Sequence, residues 1–80
     1  MDKTVGRIGA GVYNMRKNLK IFRVKHGLTQ AEMAARLDYT GSLYSMVESG
    51  KRIGTQYFWL NLKTAFNLSE NEIENLRIDE

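Results

Sequence analysis

Apolar residues return at helical spacing in five short blocks, separated by glycines, polar turns and helix-capping residues. In the first block Met15, Leu19 and Phe22 fall at i, i+4 and i+7. That spacing predicts a helix beginning near Val12 or Asn14 and running to His26, with these three side chains inward. Gly27 supplies the left-handed residue that commonly ends a helix, and Lys25 and His26 stand where positive charge complements the dipole. The second block has the clearest start signal. Thr29-Gln30-Ala31-Glu32 is a capping box, in which the Thr hydroxyl takes the Glu32 amide and the Glu carboxylate reaches back to the Thr29 amide. Leu28 and Met33 occupy the two positions of a hydrophobic staple, and Met33, Ala34 and Leu37 form the inward face of a helix that stops near Asp38.

Tyr39 and Thr40 make the next turn, with Thr40 as an N-cap. The third helix carries Leu43, Tyr44, Met46, Val47 and Glu48 and ends at Ser49-Gly50. Two stripes are possible here, Tyr44 with Val47 or Leu43 with Met46, and periodicity does not choose between them. After the polar loop of Lys51, Arg52, Ile53 and Gly54, Thr55 caps a fourth helix with Trp59, Leu62 and Phe66 inward and Phe58 and Ala65 beside them. A second capping box, Ser69-Glu70-Asn71-Glu72, opens a fifth helix with Ile73 and Leu76 inward and Leu68 and Ile73 as its staple pair. Residues 1–11 hold Gly6, Gly9 and Gly11 and little periodicity, which predicts a flexible N-terminal arm before a folded domain at 12–80. The expected fold is all-α, with five short helices.

Two short helices joined by a turn of three or four residues cross steeply, so the second can project into a groove. Residues 28–50 have these parts in order and read as a helix-turn-helix. The B-DNA major groove, about 12 Å wide, accepts one helix. The amides at the start of the preceding helix, around Thr29 and Gln30, are placed to meet a phosphate.

Charge agrees with that reading. The net charge is +3, and up to Gln30 the bases Lys3, Arg7, Arg16, Lys17, Lys20, Arg23 and Lys25 face Asp2 as the one acid. The end of the chain is acidic, with Glu70, Glu72, Glu74, Asp79 and Glu80 against Arg77. Such a body suits a surface that meets phosphates on one side. Other chemistry is poorly provided for. There is no Cys, His26 is the single His, and no glycine loop precedes a Lys-Ser/Thr pair. No enzyme, metal or cofactor is expected. No apolar run approaches the ~20 residues of a membrane span, so a cytoplasmic protein without membrane contact is expected. A domain of 80 residues buries only ~60% of its unfolded surface, so a partner subunit would help its stability.

The segment from Arg23 onward resembles the Cro and phage-repressor (XRE) helix-turn-helix family. The residues that carry the likeness are Arg23, Gly27-Leu28-Thr29-Gln30-Ala31-Glu32-Met33-Ala34, Leu37, Thr40, Ser45 and Val47-Glu48-Ser49-Gly50-Lys51-Arg52, continuing to Leu62, Ala65 and Phe66. The resemblance implies a lambda-repressor-like domain that binds double-stranded DNA as a homodimer and represses transcription. It implies that Tyr44 and Val47 are buried, and that Gly41, Ser42, Leu43, Ser45 and Met46 face outward to read bases. Gln30 and Thr40 match positions that contact phosphate or base edges, and Thr29 beside Gln30 is a further DNA-binding candidate. Lys51 and Arg52 match a loop that clasps the backbone, and Arg23 and Glu48 match a structural ion pair.

The sequence departs from the family at several positions. Asp38 stands where Gly is usual, Tyr39 where a smaller aliphatic is, Gly54 where Pro is common, and Lys63 in place of a small buried residue. The reading set holds no Arg, Asn or longer amide, so the bidentate pairings to guanine and adenine are missing from it. Readout would fall to Ser hydroxyls, Gln30 and apolar contact of Leu43 or Met46 with thymine methyls, with shape and phosphate contacts carrying more. The same apolar face motivates an alternative: a protein-interaction module, an antitoxin or antirepressor, that presents Tyr39, Leu43 and Met46 to a protein partner.

Overall fold

The computed structural model describes residues 15–78. The order is α1 Lys17–Lys25, α2 Gln30–Arg36, α3 Gly41–Glu48, α4 Gln56–Phe66 and α5 Glu70–Arg77, with no strand among the described residues. The expected arm at 1–11 lies outside them.

Hydroxyl side chains open four of the five helices among the described residues. Thr29 and Ser69 form complete capping boxes with Glu32 and Glu72, while Thr40 and Thr55 accept from the amides of Leu43 and Phe58. Each bond satisfies one of the donors that a helix start leaves orphaned. Left-handed residues close the connections: Gly27 at φ 69°, Gly50 at 86° and Asn67 at 54°. Asp38 also lies there, at φ 62°, so the family's usual glycine is replaced by a residue that must bear the left-handed backbone itself.

α2 packs on α3, α1 on α3 and α5, and α4 on α5, around a core of Leu19, Met33, Ala34, Leu37, Tyr44, Val47, Phe58, Trp59, Leu62, Ile73 and Leu76. The inward stripes expected for α2 and α5 are borne out. Three details differ from expectation. The start near Val12 or Asn14 falls outside the described residues, and among the described ones α1 opens only at Lys17. Met15 precedes the helix, so its spacing to Leu19 does not place it on a helical face, and it is 41% exposed. Ala65, placed beside the α4 core stripe, is exposed. Phe66 is half-buried in an aromatic triangle with Phe22 and His26, its ring 5.0 Å from each.

Candidate nucleic-acid interface

α3 has one dry side. Tyr44 is fully buried and Val47 nearly so, which makes their stripe the inward one. Leu43, at 37% exposure, and the half-buried Met46 belong to the other side.

The inward side is tied to α1 and α2 through one carboxylate. Arg23 grips Glu48 with two bonds, Nε to Oε2 at 2.9 Å and Nη2 to Oε1 at 3.1 Å. Tyr44 donates its hydroxyl to Glu48 Oε2 at 2.7 Å, and Gln30 donates its amide to Oε1 at 2.9 Å. Arg23 Nη1 also donates to Leu28 O at 2.8 Å, at the entry to α2. Burial by itself would raise the Glu48 carboxyl, but the bonds from Arg23, Tyr44 and Gln30 and the Arg23 charge outweigh it. The carboxyl therefore sits below its ordinary value. The Arg23 guanidinium is raised, mainly by its bond to Glu48. The Tyr44 hydroxyl is raised by burial first and then by the same carboxylate. The ion pair thus ties α1 to α3, and the Gln30 bond brings α2 to the same carboxylate.

The sequence-derived contact residues fall around this frame. Thr29 is exposed, its hydroxyl is occupied by the Glu32 amide 3.1 Å away, and its own amide donates to Glu32 Oε1 at 2.8 Å, so that amide is not open to the phosphate expected there. Gln30 is half-buried, its amide nitrogen turned to Glu48. Thr40 is exposed at the start of α3, with its hydroxyl accepting from Leu43 N at 3.2 Å. Gly41 is half-buried against Ala31, whose Cα would lie 3.6 Å from a Cβ at this position. Ser42 is exposed and Ser45 half-buried on the same helix.

Lys51 and Arg52 are exposed in the loop after α3. That loop turns back on the helix: Arg52 N donates to Met46 O at 3.1 Å, and Arg52 Nε reaches Met46 Sδ at 3.3 Å. One cation of the loop is thereby joined to one outward residue of α3. Leu43, Lys51, Arg52, Tyr39, Ile53 and Thr55 share a groove of about 540 Å³ beside the helix. Tyr39 closes one wall through its hydroxyl, 2.7 Å from Thr55 Oγ1.

Not every base of the flank is available to an anion. Arg23 is consumed by Glu48, and Arg16 is buried at 5% exposure, whereas Lys17, Lys20 and Lys25 are exposed. Arg16 and the Tyr44 hydroxyl are the participants that sequence reasoning missed. A basic residue in a basic run looks like surface charge, and a tyrosine on an apolar stripe looks like core. Ile53, at 76% the most exposed large apolar residue among those described, carried no periodic signal because it lies in a loop.

Gly54 takes φ 86°, which proline cannot adopt, so the departure from the family at this position has a backbone cause. A Cβ there would also stand 2.8 Å from Trp59 Nε1. Lys63 stays half-buried and pairs with the exposed Glu70.

No helix among the described residues is long and apolar enough to cross a membrane. Neither the curated proteins nor the solved structures hold a significant match to the chain. A family model described as a helix-turn-helix domain matches residues 15–76, from the residue before buried Arg16 to the last core residue of α5. With α2, its left-handed turn and α3 packed together inside that span, the chain belongs to the helix-turn-helix domain family.

Proposed function

We propose that the protein is a sequence-specific regulator of transcription that inserts α3 into the major groove of double-stranded DNA. The observation that carries this reading is the clamp of Arg23, Gln30 and Tyr44 on Glu48, which fixes α3 against α2 while leaving its other side to solvent. Thr40, Gly41, Ser42, Leu43, Ser45 and Met46 then face the bases. Thr29 and Gln30 meet the backbone at the start of α2, and Lys51 and Arg52 clasp it from the loop. Small hydroxyls and two apolar side chains make weak base readers, so phosphate contacts and DNA shape carry much of the affinity. The likeness to the Cro and phage-repressor (XRE) type supports a cytoplasmic repressor acting as a homodimer on an inverted repeat. Its half-sites would lie about one helical turn, ~34 Å, apart.

Selection from a random duplex pool, followed by titration at several salt concentrations, tests this. A recovered palindrome and a log–log salt slope of about −0.9 per phosphate contact are expected. No duplex binding at low salt would sink the proposal.

The groove lined by Tyr39, Leu43 and Ile53 favours a second reading, a protein-interaction module of the antitoxin or antirepressor kind. Its mark would be a co-purifying protein released by Leu43→Asp, in a chain without affinity for duplex DNA.

A further inference from the structure

Arg16 belongs to a run of bases, yet the domain swallows it. It is 5% exposed while its neighbour Lys17 is exposed. Its guanidinium reaches three separate segments. Nη1 donates to Val47 O at 2.6 Å, in the last turn of α3, and to Arg52 O at 2.9 Å. Nη2 donates to Ile53 O at 3.3 Å, and Nε to Arg77 O at 3.1 Å, at the end of α5. The Arg16 amide adds a bond to Glu48 O at 2.9 Å. Taking a guanidinium out of water is costly, and charge-assisted bonds to carbonyls compensate it. What the planar fork supplies that an apolar side chain does not is direction, imposed on several carbonyls at once.

Two of those carbonyls are consecutive in the loop after α3. With the peptides of Arg52 and Ile53 turned inward, the side chains of Lys51 and Arg52 are left at the surface. Trp59 reinforces the arrangement. Its Nε1 donates to the same Ile53 carbonyl at 3.2 Å, and the Arg16 guanidinium lies 5.6 Å from its ring centroid. Gly54 leaves room for that indole, since a Cβ would meet it.

We propose that Arg16 is a positioning residue for the DNA contact: from inside the domain it sets the shape of the 51–54 loop, and so the direction in which Lys51 and Arg52 meet the phosphates. This rests on the DNA-binding reading and adds a residue remote from the reading helix.

The test uses a duplex selected by the wild-type protein, titrated with Arg16→Met and Arg16→Lys at several salt concentrations. Each variant is measured where circular dichroism reports it folded. Both should bind about 5- to 10-fold more weakly at ~0.15 M salt, with the salt slope reduced by about 0.9 for each phosphate that the loop no longer reaches. The order of preferred bases should stay unchanged, and the indole N–H resonance of Trp59 should shift. Lysine keeps the charge, so a weak Arg16→Lys separates loop shape from long-range attraction. Lysine restoring wild-type affinity and slope would overturn the inference. So would Arg16→Met, folded, binding like wild type.

Combining Arg16→Lys with Lys51→Ala and Arg52→Ala gives a further readout. No added weakening is expected, because the cations that Arg16 directs are already gone. A weakening as large as in the wild-type background would assign Arg16 a structural role only. Wild-type protein without affinity for any duplex overturns the DNA reading and this role together, whereas wild-type binding matched by every Arg16 variant overturns this role alone.

Discussion

The two sides of α3 are built to opposite rules. On the inner side Tyr44, Val47 and Glu48 are nearly solvent-free, and the one charge among them is matched by Arg23 and two further donors. On the outer side Ser42 and Leu43 are exposed and Ser45 and Met46 half-buried, and the side-chain hydrogen bond found there among the described residues is Arg52 to Met46. The inner side therefore sets where the helix sits, and the outer side is released to vary. A helix that carried its stability on both sides could not change its readers without changing its fold.

The largest effect should come from breaking the inner side at its charge. Glu48→Ala leaves Arg23, whose side chain is 12% exposed, without its carboxylate, and strands Tyr44 and Gln30. A loss of about 3 kcal/mol is expected in urea unfolding. The same pair predicts a pH dependence. The folded Glu48 carboxyl lies below its ordinary value of 4.5, so its contribution is full above that value and disappears as pH falls through the lower folded one. Urea midpoints taken downward from pH ~6 should drop in that acid window. In Glu48→Gln the drop should be smaller.

Next comes the wall behind Val47. Gly54→Ala adds a Cβ 2.8 Å from Trp59 Nε1 and 3.4 Å from Val47 Cγ1, at a φ of 86° that strains any side chain. About 2 kcal/mol should be lost, and the Trp59 fluorescence should change. Thr40→Ala removes the cap where the two sides begin and should cost about 1 kcal/mol by thermal unfolding. The outer side should respond least: Ser42→Ala and Met46→Ala should alter stability by less than ~0.5 kcal/mol. In a duplex selection, however, Met46→Ala should change the recovered bases, while Lys51→Ala weakens all duplexes alike. An outer-side substitution that unfolds the domain would end the contrast.

Most of the frame was legible in the sequence because its signals are local. A capping box spans four residues, and both boxes form at Thr29 and Ser69 as the spacing predicts. The choice between the two α3 stripes was not local; the family resemblance made it, and burial of Tyr44 agrees. Arg16 was illegible for a different reason. Its partners are carbonyls 31 to 61 residues away, and carbonyls leave no mark in a sequence. Met15 misled because helical spacing holds only inside a helix, and α1 begins two residues later. The contact set is legible only as far as the resemblance carries it, since exposure says where a side chain can reach and not what it meets.

The hydroxyl caps have a kinetic consequence. Among the described residues four of the five helix starts are specified within a few residues of themselves, and the chain contains no proline. Helical turns can therefore nucleate before distant segments meet, and no prolyl isomerisation delays the search. A domain of this kind should refold in a single phase, within about a millisecond. After each transient opening it would be ready again far sooner than a slow-folding sheet.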